Sequence, residues 1–144
     1  NAPEIAKFLV DNKFEVMGHV GLTPQTITDF KVQGKEEEAV NTIIKMAKDL
    51  ETAGCYAVVL EGIPLDLGKR ITGLLSVPTI GIGAGPHCDG QVLVVNDMLG
   101  LYDKFSPKFV KKYAHLAGDM KKAFRDYIKD IKEGNFPKDE HSFH

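Results

Sequence analysis

Tyr56-Ala57-Val58-Val59-Leu60-Glu61 is the stretch on which the fold turns. Five residues with almost no polar interruption read as a strand covered on both faces, the pattern of a parallel sheet rather than of a half-solvated antiparallel one. A helical stripe stands before it: Val40, Ile43, Ile44, Met46, Ala47 and Leu50. That helix opens after Gly34 on Lys35 and three acids, Glu36, Glu37 and Glu38, where the positive end of the helix dipole favours them, and runs to about Ala53, with Gly54 as its stop. After Glu61 the loop Gly62-Ile63-Pro64 leads into a helix carrying Leu67, Ile71, Leu74 and Leu75.

The same alternation extends to both sides. Residues 2–11 place Ile5, Phe8 and Leu9 on one helical face, and 14–20 read as a strand running into a loop. Thr23-Pro24 has the chemistry of a helix start. Residues 77–82 form a further strand opening into Gly83-Ala84-Gly85, and Gln91-Val92-Leu93-Val94-Val95 another, ending at Asn96-Asp97. From Pro107 a helical stripe continues through Phe109, Tyr113, Leu116, Met120, Phe124, Tyr127, Ile128 and Ile131, and Gly118-Asp119 in its middle predicts two helices, the second capped by Asp119. Repeating β–α units with buried strands define a parallel α/β architecture. Four strands fit a small doubly wound sheet or half of a (β/α)8 barrel. A whole barrel needs about 250 residues, and the chain has 144.

Composition bounds the function. Hydrophobic residues at 43% and charged ones at 26% suit a globular domain and exclude disorder. No apolar run approaches the roughly 18–20 residues of a helical membrane span. Cys55 and Cys88 form no disulfide framework or CxxC pair, so a reducing, cytoplasmic setting is expected. Net charge is −2, divided as −6 over residues 1–103, +6 over 104–138 and −2 over 139–144. The basic C-terminal third could suggest nucleic acid, but its lysines fall on the outer face of an amphipathic helix, and a solvated face is the reading adopted, without nucleic-acid or membrane partners. Asn1 is not Met and no charged n-region with an apolar stretch follows it, so no signal peptide is expected, and the chain reads as a piece of something longer.

In either parallel architecture, chemistry collects at the carboxyl ends of the strands. Glu61 stands at such an end. Partial desolvation of a carboxylate there favours its protonated form, which suits general-base work; capping a helix or pairing with a surface Lys stays open as the alternative. His19, between Gly18 and Gly21, could bond a carboxylate or carbonyl, or be a satisfied structural histidine. Gly81-Ile82-Gly83-Ala84-Gly85 could offer amides to an anion, but GxGxG is not the dinucleotide fingerprint, and close packing at a barrel rim explains it better. His87, His115, His141 and His144 have no metal-ligand spacing, and Asp89 and Asp97 receive no role.

Taken together, several blocks resemble the ketopantoate (3-methyl-2-oxobutanoate) hydroxymethyltransferase family. They are 18–25 (GHVGLTPQ), 31–34 (KVQG), Val59-Leu60-Glu61 with Pro64, 80–85 (IGIGAG), 89–94 (DGQVLV), 97–101 (DMLGL), Pro107-Lys108-Phe109 and the closing 140–144 (EHSFH). The resemblance implies the C-terminal half of a (β/α)8 TIM barrel, strands five to eight plus additional C-terminal helices, in a single partial domain over 1–144 that lacks the N-terminal half. It implies hydroxymethyl transfer from 5,10-methylenetetrahydrofolate to 3-methyl-2-oxobutanoate, giving 2-dehydropantoate for pantothenate synthesis, with Mg2+ on the oxo acid and a homo-oligomer, typically a decamer. Glu61 matches the family's general base and His19 a residue lining the substrate site. The family's metal ligands lie in the other half, so no metal ligand is expected here. Between Gln25 and Lys31 the chain is shorter than the family pattern, which leaves the folate-side loop in doubt. A related metal-dependent aldolase or lyase, or a non-catalytic anion-binding and assembly domain, remains as an alternative; the latter would turn Glu61 away from His19.

Overall fold

A computed structural model describes residues 1–23, 32–34, 36–102 and 105–144. The chain divides into two compact units, Asn1–Val92 and Leu93–His144. The first unit contains α1 (Ala2–Asp11), β1 (Met17–Gly21), α2 (Glu37–Thr52), β2 (Ala57–Glu61), α3 (Leu65–Thr72), β3 (Thr79–Ile82) and β4 (Gly90–Gln91). The strands form one parallel sheet in chain order, β1-β2-β3-β4. The α/β class and the parallel sheet expected from the apolar strands are therefore observed. The expected helix start at Thr23-Pro24 and the short loop Gln25–Lys31 lie outside the described residues, apart from Thr23 itself.

Register decides which side chains share a face. Gly18 pairs with Val58 and Val20 with Leu60, while Val58 pairs with Thr79 and Leu60 with Gly81. These positions form the face covered by helices, where Val58 and Leu60 have no solvent exposure and pack with Ala47, Leu50, Leu67 and Ile71. Each large aliphatic side chain buried there contributes about 1.5–3 kcal/mol. Gly18 allows α2 to lie against β1, since a Cβ there would come within 3.0 Å of Leu50 Cδ1. The opposite face carries His19, Val59, Ile80 and, at the strand ends, Glu61 opposite Ile82. Gly54, at φ +96°, ends the α2 segment as expected.

Thr79 is a fully buried hydroxyl in an apolar layer, a costly placement unless it is bonded. Thr72 Oγ1 lies 2.8 Å away on α3, and Asp89 accepts from the Thr79 amide at 2.8 Å and from its hydroxyl at 3.0 Å. Those two donors, the amide foremost, hold the Asp89 carboxyl below the ordinary carboxylate range. The folded-state pKa is thus the lower one, so the stabilisation is complete above the unfolded value of about 3.9 and disappears as pH falls through the folded value. Asp89→Asn is expected to cost about 1 kcal/mol at pH 7, at the low end for a charged partner because Asp89 is exposed. Urea melts should show that gap closing below about pH 4; a gap independent of pH would contradict it.

Two expectations are corrected. The strand over Gln91–Val95 is reduced to Gly90–Gln91, and Asn96-Asp97 fall in a short helix, α4 (Val95–Met98), not at a strand end. After Val92 donates to Gly81 O no further residue of this run is in a strand, and Val92, Val94 and Val95 stay about half exposed. The second unit also has one long C-terminal helix, not two: α5 (Leu116–Glu133), with Gly118 and Asp119 inside its first turn and no side-chain cap from His115. Residues 107–115 are non-helical. The amides of Tyr113, Leu116 and Ala117 instead donate to the carbonyls of Met98, Leu99 and Gly100, tying this segment to the end of α4. No contact requires glycine at 118, since a Cβ there would meet nothing within 4 Å.

On α5, Lys122 bonds Asp126 at 2.7 Å and Lys129 lies 4.0 Å from Glu133, so these basic residues pair along their own helix on a solvated surface. Met120, Phe124, Tyr127, Ile128 and Ile131 are exposed as well. No helix among the described residues is long and apolar enough to cross a membrane.

Candidate functional site

Glu61 is the last residue of β2, and its backbone is held from both sides. Its carbonyl accepts from Leu22 N at 2.8 Å, and the next amide, Gly62 N, donates to Ile82 O at 2.9 Å. Gly21 makes the first of these approaches possible: at φ +93° it brings β1 so close that a Cβ would stand 2.2 Å from Glu61 O. The carboxylate therefore sits on a main chain with little freedom, at the C-terminal edge of the sheet.

His19 is two residues before Gly21, the register partner of Glu61, and so shares its face. Its Nε2 lies 3.1 Å from Glu61 Oε2, with the two side chains 31% and 17% exposed. The distance is that of an ion pair when the imidazole is protonated. Nε2 is nevertheless an occluded nitrogen without a hydrogen bond, because its N–H direction misses the carboxylate. Its exposure comes from the rest of the ring. The pair is juxtaposed but not locked, leaving the carboxylate able to turn to another proton. An anion-binding domain would have turned Glu61 away from this histidine; the structure brings the two together.

A cavity of about 570 Å³ runs along the unpaired side of β1, lined mainly by apolar residues of α1, α2 and β1. His19 lines it and Glu61 does not. The Gly83-Ala84-Gly85 segment is closely packed. Ala84 is fully buried, its carbonyl leaves no room for a Cβ on Gly68 of α3, and Gly85 is pressed against Leu65. Asp89 and Gln91, to which the sequence assigned no function, hold β3 and the loop after it. The signal for the first was Thr79, a hydroxyl in an apolar strand. Among the described residues no three His, Cys, Asp or Glu side chains cluster in a way that could hold a metal ion.

The acid and the imidazole thus stand together towards the carboxyl edge of a parallel sheet in an α/β protein, the place where such sheets gather their ligand-binding groups. Comparison with known proteins gives the family. The model of the ketopantoate hydroxymethyltransferase family matches residues 1–139, and the chain belongs to that family. It is 54% identical over 143 residues to the 3-methyl-2-oxobutanoate hydroxymethyltransferase of Clostridium kluyveri, covering 97% of this chain and 51% of that protein. The proteins of the same name from Citrifermentans bemidjiense and Geobacter metallireducens are 53% and 55% identical, covering 99% and 94% of this chain and 55% and 52% of theirs. The chain thus spans about half the length of the curated relatives it matches.

Proposed function

We propose that this chain forms strands five to eight of a (β/α)8 barrel whose whole enzyme transfers a hydroxymethyl group from 5,10-methylenetetrahydrofolate to 3-methyl-2-oxobutanoate, with Glu61 as general base. The observation that carries the proposal is the Glu61 carboxylate, held by its backbone at the sheet edge 3.1 Å from His19. The relatives' shared name supports the substrate.

The C3–H of a 2-oxo acid is acidic only because the carbanion delocalises into the adjacent carbonyl. Glu61 removes that proton, and the electron pair of the C–H bond becomes the enolate. The methylene carbon is bonded to two folate nitrogens. The enolate carbon bonds to it as one of these C–N bonds breaks, and water displaces the other, supplying the hydroxyl oxygen of 2-dehydropantoate. The proton taken by Glu61 and one from water pass to the two nitrogens, and tetrahydrofolate leaves. His19, beside the base, offers a polar contact to the oxo acid and, when protonated, a positive charge near a carboxylate substrate. The described residues do not provide the ligand set for the Mg2+ expected from the resemblance, so its donors would come from elsewhere in the whole enzyme. The homo-oligomeric assembly and the cytoplasmic setting belong to the same proposal.

In the full-length protein, 3-methyl-2-oxobutanoate in D2O should exchange its C3 proton, and formation of 2-dehydropantoate should require methylenetetrahydrofolate. Cleavage of hydroxylated 2-oxo acids that proceeds equally well without the folate would instead identify an aldolase or lyase.

A further inference from the structure

Asp89-Gly90-Gln91 reaches to both ends of β3. Asp89 bonds Thr79, the first residue of that strand, and Gln91 Nε2 donates to Gly85 O at 2.9 Å, three residues beyond its last. Gly81 leaves room for the second reach, since a Cβ there would stand 3.0 Å from Gln91 Nε2 and 2.9 Å from Cys88 Sγ. Gly90, between them, lies so close to Ile80 that a Cβ would come within 2.8 Å of its Cδ1. The loop held by Gln91 borders the proposed site. It begins directly after Ile82, which is paired with Glu61 and accepts from Gly62 N. On its other side it abuts Leu65 and Gly68 of α3, the helix that starts four residues after Glu61. Gln91 is therefore the one polar side chain among the described residues bonded to this loop's carbonyl at Gly85.

We propose that Gln91 is a positioning residue of the site: by holding the Gly85 carbonyl it keeps Gly83-Ala84-Gly85 in place as the wall beside Glu61. The proposal rests on the reading of Glu61 as the base. Gln91 does not touch the reacting atoms; it acts through the loop.

The test uses the full-length enzyme with Gln91→Met, which keeps the length but loses the N–H, and Gln91→Lys, which keeps a donor. One neutral hydrogen bond accounts for a factor of about three to ten. Gln91→Met should lower kcat/KM for the oxo acid by that factor and speed amide hydrogen exchange at Gly83–Gly85, and Gln91→Lys should restore at least half of both. Glu51→Met is the control, because Glu51 accepts from Ser76 N and Val77 N ahead of β3, away from the loop, and loss of that acceptor should lower Tm with kcat/KM kept. Parental kcat/KM or unchanged loop exchange in Gln91→Met overturns the proposal, as does an equal loss of kcat/KM in Glu51→Met. If the parent enzyme itself exchanges no C3 proton, the reading of Glu61 fails and takes this inference with it; parental exchange with an unaffected Gln91→Met removes only the inference.

Discussion

Glu61→Gln in the whole enzyme is expected to slow C3 proton exchange of 3-methyl-2-oxobutanoate by about 10²–10⁴-fold, the usual contribution of a positioned general base. The amide is the same size, so the backbone bonds from Leu22 and to Ile82 should survive, and with them the strand edge. Binding of the oxo acid, measured by titration calorimetry, should stay within about tenfold, since no buried charge is left without a partner: His19 is in reach of Glu61 but makes no aligned bond to it. Proton exchange near the parental rate would remove Glu61 from the chemistry.

The second large effect concerns Gly21. An alanine there would have to hold a φ of +93°, and its methyl group would sit 2.2 Å from a backbone oxygen that cannot rotate away. Left-handed strain of about 1–2 kcal/mol adds to an overpacking cost of about 1–3 kcal/mol. Gly21→Ala should therefore destabilise the fold by about 3 kcal/mol, read from urea melts, and lose proton exchange as well, because relieving the clash moves Glu61. A variant within about 0.5 kcal/mol of the parent, as for an ordinary surface change, would show that β1 and β2 do not approach so closely.

Much of the sheet could be read from residue order because its central strand is apolar on both faces, although helices cover only one of them here. Ala57–Leu60 and Thr79–Ile82 announce themselves as apolar runs, and a charged residue closing the first marks a strand end. The meeting of His19 with Glu61 was less legible, since it depends on register: a shift of one residue would send His19 to the helix-covered face. The hydrophobic run 91–95 misled because β-branched residues favour a strand only when a neighbour accepts their amides, and among the described residues no sheet pairing continues beyond Val92. The stripe from Pro107 misled for the converse reason. Its spacing is helical, but the carbonyls at the end of α4 draw in the amides of Tyr113, Leu116 and Ala117. Gln91 gives no such signal, because a glutamine at the edge of a strand carries no mark of the carbonyl its side chain will find.

That spatial neighbours are also successive along the chain bears on how the sheet assembles. Gly21 and its partner Glu61 stand 40 residues apart along the chain, Glu61 and Ile82 21, and Ile80 and Gly90 10. Each halving saves about 0.6 kcal/mol of closure entropy, so the last pairing starts about 1.2 kcal/mol cheaper than the first. Closure entropy alone thus favours a nucleus around Thr79 and Asp89, onto which the earlier strands join towards the amino terminus, and the edge that carries Glu61 is completed late.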